Sequence, residues 1–122
     1  MSLASQRLGR RAENVAAEYL SAAGYTVVDR NLRVGRLEID LVVRADRLVV
    51  VVEVRARGPS SWLRAFDSVD VGKRQRVRKA GARLWNERFA LDPTVDRMRF
   101  DIVTVAFPYD GPPRVEVAEG AF

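Results

Sequence analysis

Apolar and polar residues recur along the chain with two different periods, and the changes between them mark out the elements. From about Ala4 to Ala23, Leu8, Ala12, Val15, Ala16, Tyr19, Leu20 and Ala23 fall at helical spacing and form one apolar stripe. Gly24 follows as a candidate C-terminal cap. Tyr25 to Asp29 reads as a short strand, and Asn31 to Arg36 as a loop or turn around Gly35. Leu37 to Val43 alternates with a period of two. Ile39, Leu41 and Val43 face one way; Glu38, Asp40 and Val42 face the other. After a turn at Ala45-Asp46, Leu48 to Val54 is almost continuously apolar, the pattern of a central strand covered on both faces.

The stretch from Arg57 to Asp70 contains Gly58, Pro59, Ser60 and Ser61 and reads as a long mobile loop, anchored by Trp62, Leu63 and Phe66. A second helix is predicted from about Val71 to Phe89, with Val77, Ala80, Gly81, Leu84 and Trp85 as its buried stripe. Pro93 ends that region. Arg99 to Ala106 is the next strand, and the turn Pro108 to Pro113 leads to a last edge strand, Arg114 to Val117. The order α-β-β-β-α-β-β predicts one α/β domain over residues 1–122, a mixed sheet of about five strands with a helix on each face.

If the two strands around Asp46 form a hairpin with a two-residue Ala45-Asp46 turn, Glu38 falls opposite Glu53 and Asp40 opposite Val51. Glu38, Asp40, Glu53 and Arg55 then project from one side of the sheet. Asp40 and Glu53 become diagonal neighbours with Cβ atoms roughly 7–8 Å apart, close enough to share one hard cation. A one-residue bulge would reverse the facing of one strand. Glu53 also ends the apolar run Leu48 to Val52, where an isolated carboxylate is costly unless paired, hydrogen-bonded or metal-bound. The plainer reading is a salt bridge near solvent from Glu53 to Arg55 or Arg57.

Composition narrows the chemistry. The 122 residues include no histidine and no cysteine, which removes imidazole bases, thiol nucleophiles, disulfides and zinc-type ligand sets. Any metal must be held by oxygen, which favours Mg²⁺, Mn²⁺ or Ca²⁺. Lys and Arg number 21 against 16 Asp and Glu, a net charge of +5 that favours a polyanion, either nucleic acid or an anionic membrane. Only Lys73 and Lys79 are lysines. No apolar run reaches the roughly 18 residues of a membrane span. Met1 to Arg11 has no secretory pattern, so a cytoplasmic protein without membrane attachment is expected.

Several of these stretches together resemble a family. Ala12-Glu13-x-x-Ala16-x-x-Tyr19-Leu20, Gly24-Tyr25, Asp29-Arg30-Asn31-x-Arg33, Glu38-Ile39-Asp40-Leu41-Val42, Val52-Glu53-Val54-Arg55-x-Arg57, Lys73 and Arg99-Phe100-Asp101-Ile102-Val103 occur in the order found in the YraN-like bacterial proteins. That family belongs by resemblance to the PD-(D/E)xK nuclease superfamily, which includes archaeal Holliday-junction resolvases. The resemblance implies a restriction-endonuclease-like fold and a Mg²⁺- or Mn²⁺-dependent endodeoxyribonuclease. Asp40, Glu53 and Glu13 would hold the metal against a scissile phosphate, and the metal would lower the pKa of an attacking water. The lysine of the superfamily falls at Arg55. Arginine keeps the charge and contacts phosphate but cannot act as a general base. Leu37 also stands where the family often has glycine.

Other readings stand beside these. Glu13 taken alone is a solvated helix glutamate, and Asp101 on its apolar strand calls for a structural hydrogen bond or salt bridge. Between Lys73 and Arg83 the second helix carries six cations and no acid. Lys73, Arg74, Arg76 and Lys79, with Arg10 and Arg11 near the N-terminus, are the candidate nucleic-acid contacts. DNA is the expected polyanion, bound by backbone and shape. Val71-Gly72-Lys73-Arg74 is not a P-loop, which needs an earlier glycine and a following Ser or Thr. The alternatives are a non-catalytic nucleic-acid-binding protein on the same fold, with Arg55 marking lost chemistry, and an assembly role in which the charge is incidental. A homodimer is expected by analogy with the resolvases.

Overall fold

The computed structural model describes residues 3–59 and 71–122. Helix α1 spans Leu3–Ala22, followed by strands β1 (Thr26–Val34), β2 (Leu37–Ala45) and β3 (Leu48–Arg57). Helix α2 (Val71–Leu84) continues into a π-helical turn over Trp85–Phe89, and strands β4 (Arg97–Ala106) and β5 (Arg114–Ala118) complete the chain. The five strands lie in sequence order, antiparallel except for the parallel β3–β4 pair. A parallel pair needs a crossover, and the β3–β4 connection carries α2. This is a mixed α/β sheet of the restriction-endonuclease-like type. Among the described residues no helix is long and apolar enough to cross a membrane.

Each helix covers one face. The α1 stripe of Ala12, Ala16, Ala17 and Leu20 packs with Leu41, Val43, Val50, Val52, Val103 and Val105. Its small side chains let the helix axis approach the sheet closely. On the other face Val77, Ala80 and Leu84 of α2 pack with Ile39, Val42, Val49 and Val51. Leu48 to Val52 are all buried, because successive β3 residues enter opposite cores. A Cβ at Gly81 would lie 2.5 Å from the Phe100 ring, so only glycine lets α2 settle on β4. Gly24, at φ 102°, closes α1: its N–H donates to Ser21 O and the Tyr25 N–H to Leu20 O, the two bonds of a Schellman cap.

The structure corrects the sequence reading in four places. First, β1 does not stop at Asp29 but runs on through Asn31 to Val34, because Leu32 and Val34 add apolar surface to the α2-side core. Only Gly35 and Arg36 form the turn. Second, the β2–β3 turn is Asp46-Arg47, not Ala45-Asp46, so Ala45 pairs with Leu48 and Leu41 with Val52. Asp46 adopts φ 52°, a left-handed conformation that Asp tolerates better than Ala. Third, Ile39 does not share a face with Leu41 and Val43; it joins Val42 in the α2-side core. Fourth, the second helix is not uniformly α-helical to Phe89, since its last residues widen into the π turn that buries Phe89. Of the predicted loop, Arg57 ends β3, whereas Trp62, Leu63 and Phe66 lie outside the described residues.

Candidate active site

The broken alternation in β2 centres on Asp40. Toward β1, the pairing passes from Arg30–Leu41 to Leu32–Ile39 and skips the opposed pair Asn31 and Asp40. Asn31 sits there at φ 50°. Toward β3, the ladder stops at Leu41–Val52. Asp40 and Glu53, the next residues on the two strands, are not a ladder pair. The sheet therefore opens on both sides of Asp40. In place of a ladder bond, the Val54 N–H donates to Asp40 Oδ2 at 2.8 Å. Although the alternation breaks here, Asp40 and Glu53 line the same opening.

The opening forms a small pocket of about 40 Å³ lined by Glu38, Ile39, Asp40, Val52, Glu53, Lys73 and Val77. The expected Glu53–Arg55 salt bridge forms, but away from solvent, since Glu53 is 4% exposed. Arg55 is buried beside it, with its Nη2 3.5 Å from Glu53 Oε1. Lys73, from the first turn of α2, brings its Nζ to 2.5 Å from the same oxygen. These are charge contacts whose angles do not make hydrogen bonds, and both Glu53 carboxylate oxygens lack a hydrogen-bond donor among the described residues.

Burial dominates the electrostatics of the other acids. Desolvation pushes the Asp40 carboxyl up to about 6; the Val54 N–H works against this, and the charges of Glu13 and Glu53 add to it. Glu13 is also raised, mainly by burial, while a bond from Asn31 opposes the rise. With its amide nitrogen turned toward the acids, Asn31 donates to Glu38 Oε1 at 2.9 Å and to both Glu13 oxygens at 3.2 Å. The left-handed backbone of Asn31 thus links α1 to the mouth of the pocket. Its role was missed in the sequence, although Asn is among the few residues that enter this conformation readily.

The predicted residues divide into two groups. Asp40, Glu53, Arg55 and Lys73 converge, with Glu13 coupled to Asp40 from the α1 side. Among the described residues no three acids stand close enough to hold a metal by themselves. The two strand carboxylates nevertheless fit a hard cation: their donors are oxygen, they share a pocket, and Glu53 Oε2 is buried without a bond. Arg74 is half-buried, while Arg76 and Lys79 are exposed on α2. Arg10 and Arg11 are exposed on α1, and the Arg11 guanidinium lies 4.5 Å from the centre of the Phe107 ring. Asp101 is structural, as expected: it accepts from Arg99 Nε and Nη2 at 2.8 Å and from the Gly120 N–H at 3.0 Å.

A mixed sheet with α1 and α2 on opposite faces and an acid pocket at its opening defines the class of protein. Comparison with known proteins gives the family. Residues 12–105 match the model of the uncharacterised protein family UPF0102, and the chain belongs to that family. It is 48% identical over 119 residues to a UPF0102 protein of Sorangium cellulosum, covering 98% of this chain and 83% of the relative. A UPF0102 protein of Frankia casuarinae is 39% identical over 119 residues, covering 98% of each chain.

Proposed function

We propose that the protein is a metal-dependent nuclease that binds and cleaves structured or branched DNA. The observation supporting this reading is the meeting of Asp40 and Glu53 in one open pocket, with a Glu53 oxygen that no donor reaches and with Arg55 and Lys73 beside that carboxylate. Mg²⁺ or Mn²⁺, when bound, would polarise a phosphoryl oxygen and lower the pKa of a water. Asp40 and Glu53 would hold the ion, with Glu13 bordering them. Asp40 is fixed through its Val54 bond, so its free oxygen is the one available to a ligand. Arg55 adds positive charge beside Glu53 and takes no proton from water. Lys73, Arg74, Arg76, Lys79, Arg10 and Arg11 would meet the phosphate backbone.

The test is cleavage of a four-way junction with Mg²⁺ or Mn²⁺. Asp40→Ala is expected to lower the rate at least about a hundredfold. Equal activity in both proteins overturns the reading.

Arg55 at the lysine position supports a second reading, a DNA-binding protein without catalysis. It expects salt-dependent DNA binding that persists in EDTA and no cleavage by the wild type. Cleavage gained by Arg55→Lys would identify a degenerate nuclease site.

A further inference from the structure

Glu53 and Lys73 are unequal partners. The carboxylate is fixed on β3 and is 4% exposed, whereas the lysine side chain is 52% exposed. The ammonium thus reaches into the pocket on a flexible stem from the solvent side. Arg55, the other cation on this carboxylate, is 9% exposed and stands farther away, at 3.5 Å. The first turn of α2 contains no acid. Without the Glu53 charge, the helix dipole disfavours an ammonium at that position. Among the described residues Lys73 makes its ion pair with Glu53 and its charge also favours the ionised form of Asp40, so both of its acidic neighbours belong to the proposed metal pair.

We propose that Lys73 is an exchangeable counter-ion, which neutralises Glu53 in the metal-free protein and gives up that carboxylate to a divalent cation while moving its ammonium to a nucleic-acid phosphate. This rests on the metal and DNA reading above and adds an order of events to it. A buried carboxylate without a counter-charge is costly, so Lys73 adds to the charge of the buried Arg55 in stabilising Glu53 before an ion binds. An incoming cation must displace the ammonium, which weakens metal binding in the absence of DNA. A phosphate that draws Lys73 away removes this competition. Metal and DNA then strengthen each other's binding, and the coupling must be reciprocal.

The experiment is calorimetric titration of the full chain with Mn²⁺, with and without a cleavage-resistant phosphorothioate duplex. Lys73→Met is expected to tighten Mn²⁺ binding about tenfold without DNA, since the competing ion pair is gone. It should also lose the further tightening that DNA produces in the wild type. Arg114→Met, which removes one positive charge from the exposed edge strand β5, should stay within about twofold of wild type. Lys73→Gln serves as the second variant if Lys73→Met does not fold. Unchanged or weaker Mn²⁺ binding in the Lys73 variants, or equal tightening in Arg114→Met, overturns the exchange. Should none of the proteins bind Mn²⁺, the metal reading falls and the exchange falls with it. Equal binding by all of them removes only the role of Lys73.

Discussion

Asp101 and Glu53 lie one residue out of step on neighbouring parallel strands, where Val52 pairs with Asp101 and Glu53 with Ile102. Asp101 is 2% exposed and Glu53 4%, so both acids are almost wholly removed from water. Around Asp101 every need is met: Arg99 binds both its oxygens, Gly120 adds an N–H, and Tyr25 accepts from Arg99 at 2.9 Å. Around Glu53 there is charge but no donor alignment, and the approaching lysine is half in solvent. The first acid binds β4 to the C-terminal segment and to the start of β1. The second has coordination capacity left over. Equal burial therefore marks two different purposes, separated by how completely the carboxylate is bonded.

The strongest test of this contrast is Asp101→Ala. It should destabilise the protein by about 2–4 kcal/mol in urea unfolding, because Arg99 and the Gly120 N–H lose their shared acceptor. A smaller loss than that of Glu53→Gln would break the comparison. Next is Asp40→Asn, which should stabilise the metal-free protein at pH 7 by about 1–3 kcal/mol while removing activity. The sign follows from a carboxyl raised from 3.8 to about 6 in the fold. The folded state then binds more protons in this window, so wild-type stability falls as pH rises from about 4 to about 6. Unfolding curves across this range in EDTA should show a shallower slope in Asp40→Asn than in the wild type, the remainder coming from the raised Glu13 carboxyl. The smallest effect is expected for Glu53→Gln, a loss of about 1–2 kcal/mol, since Lys73 can turn to water while the buried Arg55 loses a neighbouring negative charge. Its Mn²⁺ binding should nevertheless weaken by more than about tenfold in calorimetry.

Much of this arrangement was legible in the sequence, for identifiable reasons. The α1 stripe and the apolar run of β3 announce their burial through spacing alone. The neighbourhood of Asp40 and Glu53 was legible despite a misplaced turn, because moving the turn by one residue shifts cross-strand partners by only two, and both acids still line one opening. The extension of β1 was hidden by Asn31, whose polarity and left-handed backbone interrupt a strand pattern that tertiary packing restores. The Lys73–Glu53 contact could not be read from either motif. The α2 crossover brings it about, joining residues separated by the whole β3–α2 connection. Arg55 was legible as a departure from the family, but its burial beside Glu53 was not.

The bond from the Val54 amide to Asp40 Oδ2 gives the protein a built-in reporter. Most amides in the central strands are held by carbonyls, and their hydrogen exchange reports opening of the sheet. The Val54 proton is held by a carboxylate whose charge depends on pH and on any bound ion. Its exchange rate and amide shift should follow the state of Asp40 while neighbouring amides stay unchanged. A single backbone resonance would then read out occupancy of the pocket without substrate, label or turnover.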